Sequence, residues 1–431
     1  MGKKIKSLDF LKYFKDLFYF NRSLTGEGTL KTLKYFKNIN SSFKIIKFKS
    51  NTKVFDWTVP MVWKIKEAYI QDLKTKKKFA DFKKNNLHIV GYSTPIKKII
   101  NINSLKKKIY TDKYIKSAIP YITSYYKKDW GFCMSQNDLK KMRKGKYLAY
   151  INSKFIKGYM NGGELIIKGT SKKEIFFTSY ICHPSMANNE LSGPILLNAI
   201  IKWIKTHYKK TRYTYRFVLL PETIGSIAYL SKNYKNLKKN TIAAFNVSCV
   251  GAGKEYSLIE SRNGDSIADS AIKCQIIKQK KYKIYSYLDR GSDERQYCYP
   301  GIDLPMATFC RSKFGTYKEY HTSHDNLKII KNEIMEGSLK IFQNVINTFE
   351  LGPYPENVIK CEPMLSKRNL YPSISKRENY LNSRNRMNFL AYCDGRNIFE
   401  ISLKTKINLE KILDEYKILL KHKVLRSKFE K

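Results

Sequence analysis

Four short stretches of this chain concentrate side chains able to bind a metal, move a proton or hold a charged substrate. The first is Ser179–Pro194, SYICHPSMANNELSGP. There an apolar run from Glu174 to Cys182 stops at His183, and a polar loop of Asn188, Asn189 and Glu190 follows. The second, FVLLPETIGS, ends a buried run at Glu222. The third, Asp289–Arg295, sets Asp293 beside Arg295. The fourth, Lys318–Asn326, carries Glu319, His321, His324 and Asp325. Imidazole nitrogens together with a carboxylate oxygen suit a catalytic Zn²⁺ that keeps one position open for water. Such an ion lowers the pKa of its water to about 7, and a nearby carboxylate can take the proton. Asp293 and Arg295 can position a substrate amine and carboxylate, or can pair with each other. Taken alone, His183 reads first as a core histidine before a capped helix, so the metal interpretation depends on the stretches converging.

Convergence requires a sheet. Strand candidates at Tyr147–Ile151, Gly163–Ile167, Ile175–Ile181, Tyr215–Leu220, Thr241–Val250 and Tyr256–Glu260 alternate with helices at Pro194–His207, Ser226–Asn233 and Asp265–Lys278. That alternation predicts a mostly parallel sheet covered on both faces. A further strand ends near Tyr285, another covers Met306–Arg311, and a helix over Asn332–Leu351 closes the unit. Open sheets of this kind bind ligands beyond the carboxyl ends of their strands, where the candidate residues fall. Upstream, helices from Leu8 to Phe20 and from Thr29 to Asn38 flank the loop NRSLTGEG. That loop is either a plain connection or a place from which Arg22 reaches a substrate carboxylate. Phe43–Phe48, Val54–Pro60, Trp63–Leu73, Leu87–Tyr92, Ile96–Ile102 and Ile119–Tyr126 read as the strands of a small β domain of roughly 70 residues. Gly352-Pro-Tyr-Pro355 reads as a linker. Beyond it, Asn382–Ala391, Ile398–Leu403 and Leu409–Leu419 predict three short helices with an Asp394-Gly395 turn. They resemble a winged helix, for which protein contacts are the favoured role.

At 431 residues the chain exceeds one compact core, and 42% hydrophobic content marks it as globular. No apolar run approaches the roughly 18–20 residues of a membrane span. The amino terminus has no secretory pattern, so the expected location is cytoplasmic. The formal net charge of +46 invites a nucleic-acid reading, but only 14 of the 82 basic residues are Arg. The lysines are spread along the chain with Ile, Asn and Tyr, as AT-biased codon usage would produce. The expectation is weak, nonspecific attraction to polyanions and no specific nucleic acid. Eight cysteines without CxxC spacing read as reduced core thiols.

The motifs HPSMANNELSGP, PETIGS, SDERQYC and EYHTSHDN, with VFDWTVP and NRSLTGEG, resemble the aminopeptidase-like domain proteins named with bacterial polysaccharide biosynthesis. These proteins are related to the zinc-dependent aminopeptidases, and the resemblance runs over nearly the whole chain. It implies an α/β, phosphorylase/hydrolase-like mixed sheet with helices on both faces, built from residues 1–45 and 125–352. A β-rich domain at 46–124 is inserted, and a winged-helix-like domain at 356–431 follows. By the same resemblance His183 matches the first metal-binding His, His321 the last, and Glu222 the Glu segment. Asn189 stands at the position of the bridging Asp, and Ser248 near that of the second Asp. A neutral amide bridges two cations poorly and a hydroxyl is a weak ligand. The expectation is therefore one zinc on His183, Glu222 and His321, with Asn189, Asp293 and Arg295 toward substrate. With Glu222 as ligand, Glu319 is the candidate base, and Asp325 either orients His321 or caps a turn. The implied activity is hydrolysis of a peptide, aminoacyl or other amide bond, with homo-oligomerisation left open. Two alternatives stand beside it: a scaffold that keeps the fold without turnover, and a nucleic-acid regulator using the basic surface and the winged helix.

Overall fold

A computed structural model of the chain describes residues 9–371 and 377–430; the Leu8 start of the first predicted helix lies outside them. The strand Glu174–Tyr180 is buried at every position, and Thr214–Leu220 at all but its first. Strands with no polar face must be covered on both sides. They lie adjacent and parallel at the centre of an eight-stranded sheet, continued by Thr241–Val247 and Met306–Cys310 in the same direction. Antiparallel strands complete one side, Tyr159–Ile167 and then Lys44–Lys49. On the other side Tyr256–Ile259 runs antiparallel to Met306–Cys310, and Tyr282–Tyr285 pairs parallel to it. The sheet is mixed, with helices Ser192–His207, Ile224–Asn240, Ile267–Ile276 and Asn332–Leu351 packed against it.

Aromatic layers hold the sheet to its helices. Phe177 meets Phe217 at 5.0 Å, Phe245 at 5.3 Å and, from the Asn332–Leu351 helix, Phe342 at 5.5 Å. Each such buried ring contributes roughly 1.5–3 kcal/mol relative to exposure. Gly193 lets the Ser192–His207 helix approach closely, since a Cβ there would lie 2.2 Å from both Ser179 Oγ and the Val247 carbonyl. The helix start is thereby pressed against the strand ends that carry the candidate site.

A second, four-stranded antiparallel sheet has the order Lys78–Phe79, Val62–Asp72, Lys146–Ile156, Ile96–Asn101. Two strand assignments change as a result. Tyr147–Ile151, read above with the α/β unit, pairs with Val62–Asp72 in this smaller sheet. Its burial alternates along KYLAYINSKFI, the period of a strand with one face on a core. Conversely Phe43–Phe48, read with the small domain, forms the edge of the large sheet. Ile119–Tyr126 forms no strand; it crosses to the candidate site, where Pro120 bridges Thr322.

The carboxyl-terminal part has helices Arg377–Ala391, Ile398–Thr405 and Leu409–Lys421. The residues read as a linker enter a strand, Tyr354–Asn357, that pairs with Leu425–Lys428 as a wing. Its apolar residues merge with those of the α/β core in one cluster, with Phe349 and Phe399 rings 5.6 Å apart. Seven of the eight cysteines are buried and none is in a disulfide. Among the described residues no helix is long and apolar enough to cross a membrane.

Candidate active site

Most candidate residues sit on loops that leave the carboxyl ends of the central strands, and four of these loops contain a non-glycine residue with positive φ; the Asp289–Arg295 segment follows the edge strand and has none. Ser185 has φ 47°, Thr223 65°, Cys249 52° and His321 53°. Such conformations cost about 1–3 kcal/mol each and gather where function over-determines the backbone. Thr223 is the most strained, because a β-branched side chain rarely tolerates that region.

His183 is buried, and its Nδ1 lies 2.9 Å from Glu190 Oε2. Burial, and then the charge of Arg22, push its pKa down to about 3, so the ring is neutral. The bond to Glu190 puts the proton on Nδ1 and leaves the Nε2 lone pair directed away from that network. Arg22 is fully buried. Its Nε donates to the His183 carbonyl at 3.0 Å and lies 3.4 Å from Glu190 Oε1, while a second nitrogen donates to the Leu17 carbonyl at 2.7 Å. Arg22 therefore anchors the histidine from behind and does not reach toward a substrate. Burial lowers its pKa to about 10, which still leaves it charged at neutral pH.

On the other side of the ring, His183 Nε2 is 3.8 Å from Glu222 Oε2. Glu222 Oε1 accepts a hydrogen bond from Ser292 at 2.8 Å. Burial, and then the neighbouring Asp293, raise the Glu222 pKa to about 8. Asp293 is fully buried; it accepts from the Thr223 amide at 2.7 Å, and burial raises its pKa to about 7. Arg295 does not pair with Asp293. It donates to the Ser292 carbonyl at 2.9 Å and to Thr223 Oγ1 at 2.7 Å, bracing the Glu222 loop against the Asp293 loop.

The fourth loop brings His321 to this cluster, with its ring centroid 5.1 Å from that of His183. His321 Nε2 is buried without a hydrogen-bond partner, and burial holds the imidazole neutral. Asp325 does not touch His321. Its carboxylate accepts from the amides of Ala187, Asn188 and Asn189 and from the Tyr317 hydroxyl, fixing the turn that begins the Ser192–His207 helix. Asn189 is buried, its carbonyl oxygen taken by the Tyr180 hydroxyl at 2.8 Å. Ser248 neighbours Cys310. Glu319 is 21% exposed and has Lys318, at 3.8 Å, as its side-chain partner. The geometry thus joins His183, Glu222 and His321, with Asp293 adjoining, and leaves Glu319 at the edge.

Tyr121, Ser292 and Glu190 were not assigned these places from the sequence. Tyr121 arrives on the segment that crosses from the small sheet; its ring centroid is 4.9 Å from His183 and 5.3 Å from His321. Nothing distinguishes it in a chain with 32 tyrosines. Arg22 did carry a signal, being one of few arginines in a lysine-rich chain.

The donor set fits a metal on three counts. Both imidazoles are neutral, as ligation requires. One buried imidazole nitrogen has no other partner. The 3.8 Å between His183 Nε2 and Glu222 Oε2 exceeds a hydrogen bond, yet lies within the reach of two ligand bonds of about 2 Å each. The donor atoms of His183, Glu222 and His321 do not all lie within 4.8 Å of one another; among the described residues the cluster that meets that spacing is Cys182, His183 and Glu190. It fits poorly. The Cys182 thiol is pushed well up by burial, the Nδ1 proton is already shared with Glu190, and Arg22 supplies the positive charge there.

Residues 11–352 match the family described as "Domain of unknown function (DUF4910)", and residues 353–427 match a winged helix-turn-helix. A Clostridium acetobutylicum protein, named as a candidate polysaccharide biosynthesis protein with aminopeptidase-like domain, is 38% identical over 405 residues. The alignment covers 92% of this chain and 91% of that one. A crystal structure of a candidate peptidase from the same species superposes with a TM-score of 0.88 at 35% identity, covering 97% of this chain and 96% of the other. A zinc aminopeptidase from Bacillus subtilis gives a TM-score of 0.58 at 12% identity over 79% of this chain and 94% of its own, a likeness of fold.

Proposed function

The chain belongs to the DUF4910 family, and from that premise we propose that it is a cytoplasmic hydrolase of peptide or other amide bonds, holding one zinc ion on His183, Glu222 and His321. The observation that carries this reading is the meeting of two neutral imidazoles and one carboxylate from three strand ends, with His321 Nε2 left without a partner. When bound, zinc supplies Lewis acidity toward a substrate carbonyl and toward water. The chain's own groups do the rest. Glu190 holds the His183 ring by Nδ1 and keeps Nε2 available. Ser292 occupies one oxygen of Glu222 and leaves the other free. Asp293, fully buried, acts on Glu222 by charge and not on substrate directly. Arg295 has bonds from Nε and Nη2, so Nη1 is the atom placed for a substrate carboxylate. Glu319, on the His321 loop and 21% exposed, is the proposed proton acceptor. The name of the Clostridium acetobutylicum relative supports a setting in polysaccharide biosynthesis.

Metal analysis of the purified chain should find about one zinc, and aminoacyl or acyl-amide substrates should be hydrolysed. His183→Ala and His321→Ala should each lose the metal. No bound metal, together with no turnover after zinc addition, overturns the reading. A fold kept without turnover is favoured by one observation, the Tyr121 ring lying against both imidazoles. Under that second reading both His→Ala variants leave cellular function intact.

A further inference from the structure

The NRSLTGEG loop lines a cleft that the site above does not use. The opposite wall is the small sheet, which contributes Lys64, Lys66, Asn152 and Lys154. The cleft has a volume of about 590 Å³, within the range of small-molecule sites. It continues past Gly26, Glu27 and Lys64 into a second cleft of about 670 Å³, which adds Lys34, Lys37 and Lys47. Glu27 is the single acid lining either cleft, and it is committed to Lys31 at 2.8 Å.

Lys64 and Lys154 face each other directly across the antiparallel pair. Like charges in that register destabilise a sheet. Among the described residues Lys64, Lys66 and Lys154 make no salt bridge, and Glu27, paired with Lys31, reaches Lys64 only by longer-range charge. The fold gains nothing from this repulsion, whereas a cleft lined by one sign of charge concentrates potential and draws in anions. The cleft is also lined by the amides of Asn21 and Asn152, which both donate and accept as sugar hydroxyls require, and by Asn86, whose donors are taken by the Tyr19 carbonyl and Ser185 Oγ, leaving its oxygen to accept. The Tyr19 ring, 73% exposed, offers an apolar face at the rim. No arginine lines either cleft, so the forked donor suited to phosphate is absent.

We propose that this cleft binds an acidic oligosaccharide, its carboxylates on the lysines and its hydroxyls on the asparagines. Asn86, which donates to Ser185 Oγ at 2.9 Å, joins the cleft to the loop that follows His183. The binding needs no chemistry at His183 and stands independently of the hydrolase reading.

The test is calorimetric titration of the full chain with tetragalacturonate at physiological salt, against maltotetraose, inorganic phosphate and a single-stranded oligonucleotide of matched charge. Saturable binding of tetragalacturonate alone is expected. Lys154→Glu places an acid opposite Lys64, so it should raise the melting temperature while weakening binding by about tenfold or more. Lys64→Gln should weaken binding without reversing charge, and covers the case in which Lys154→Glu fails to fold. Lys172→Glu, at the amino end of the large sheet, should leave binding unchanged. Absence of binding, equal binding of the oligonucleotide, or an equal loss in Lys172→Glu overturns the proposal.

Discussion

Arg22 and Glu190 are both fully buried and 3.4 Å apart, and burial pushes the Glu190 pKa up to about 8 against the opposing charge of Arg22. Removing Glu190 leaves the buried Arg22 charge without its acceptor, at up to about 3–5 kcal/mol. Glu190→Ala should therefore lower stability by up to that amount in chemical denaturation. Glu190→Gln keeps an acceptor for His183 Nδ1 and should cost less, while weakening zinc retention by about 10–100-fold in a chelator competition. The Glu222 and Asp293 pair sets a pH dependence. Burial raises their pKa values to about 8 and about 7, so from roughly pH 4 upward these two groups hold more protons in the folded, metal-free chain than in the unfolded one. His183 and His321, held neutral by burial, oppose that difference up to about pH 6.5. Stability from the neutral carboxyls is complete below about pH 4 and is lost as pH rises through 7 to 8. Melting curves of the metal-free protein should show that decline. In Glu222→Gln, which cannot ionise, the decline should be shallower; an unchanged slope would contradict the assignment.

At the scale of elements, the Ser192–His207 helix links the core to the site. The turn that leads into it is held by Asp325 through three backbone amides, and Gly193 sets the helix's distance from the sheet. A methyl group on Gly193 would strike the Ser179 hydroxyl and the Val247 carbonyl, both on central strands. Gly193→Ala should destabilise the fold by about 1–3 kcal/mol, the usual range for overpacking, and a thermal melt followed by circular dichroism checks it. The segment through Tyr121 is the other decisive element. Tyr121 N donates to the His321 carbonyl at 2.8 Å, and Ser323 N to the Ile119 carbonyl at 2.8 Å, so the small sheet's connection is stitched to the loop that carries His321.

For the whole molecule, the winged helix is a structural partner of the core. Helix Ile398–Thr405 packs on helix Ile267–Ile276, and Lys340 pairs with Glu410 at 3.1 Å at the start of the third helix. That helix also carries Asp414 and Glu415, the latter paired with Arg386 at 2.6 Å. A third helix with no net charge, its acids balanced by three lysines and its apolar side turned to the core, is ill suited to read a DNA groove. Truncation after Gly352 should expose the apolar surface around Phe349 and yield an aggregating or lower-melting protein. In mobility-shift assays the full chain's DNA binding should vanish between low and physiological salt, without sequence preference.

The order of buried and alternating runs along the chain was enough to predict a sheet of mostly parallel strands with His183, Glu222 and His321 beyond their ends. Those features are local: they follow from strand period, helix period and side-chain chemistry at single positions. The place of Asn189 at the position of a bridging Asp came from the family resemblance alone. Which partner each residue meets is not local. Asp325 meets the Ala187 amide across 138 positions and Arg22 meets the His183 carbonyl across 161, and no periodicity encodes such pairings. The sequence therefore left open whether Asp325 orients a histidine or caps a turn, and whether Arg22 faces substrate. It misplaced the strand containing Tyr147 and gave no hint of Tyr121. Tertiary packing decided these points, because burying a charge is tolerable only where a matching charge or backbone group is brought to it.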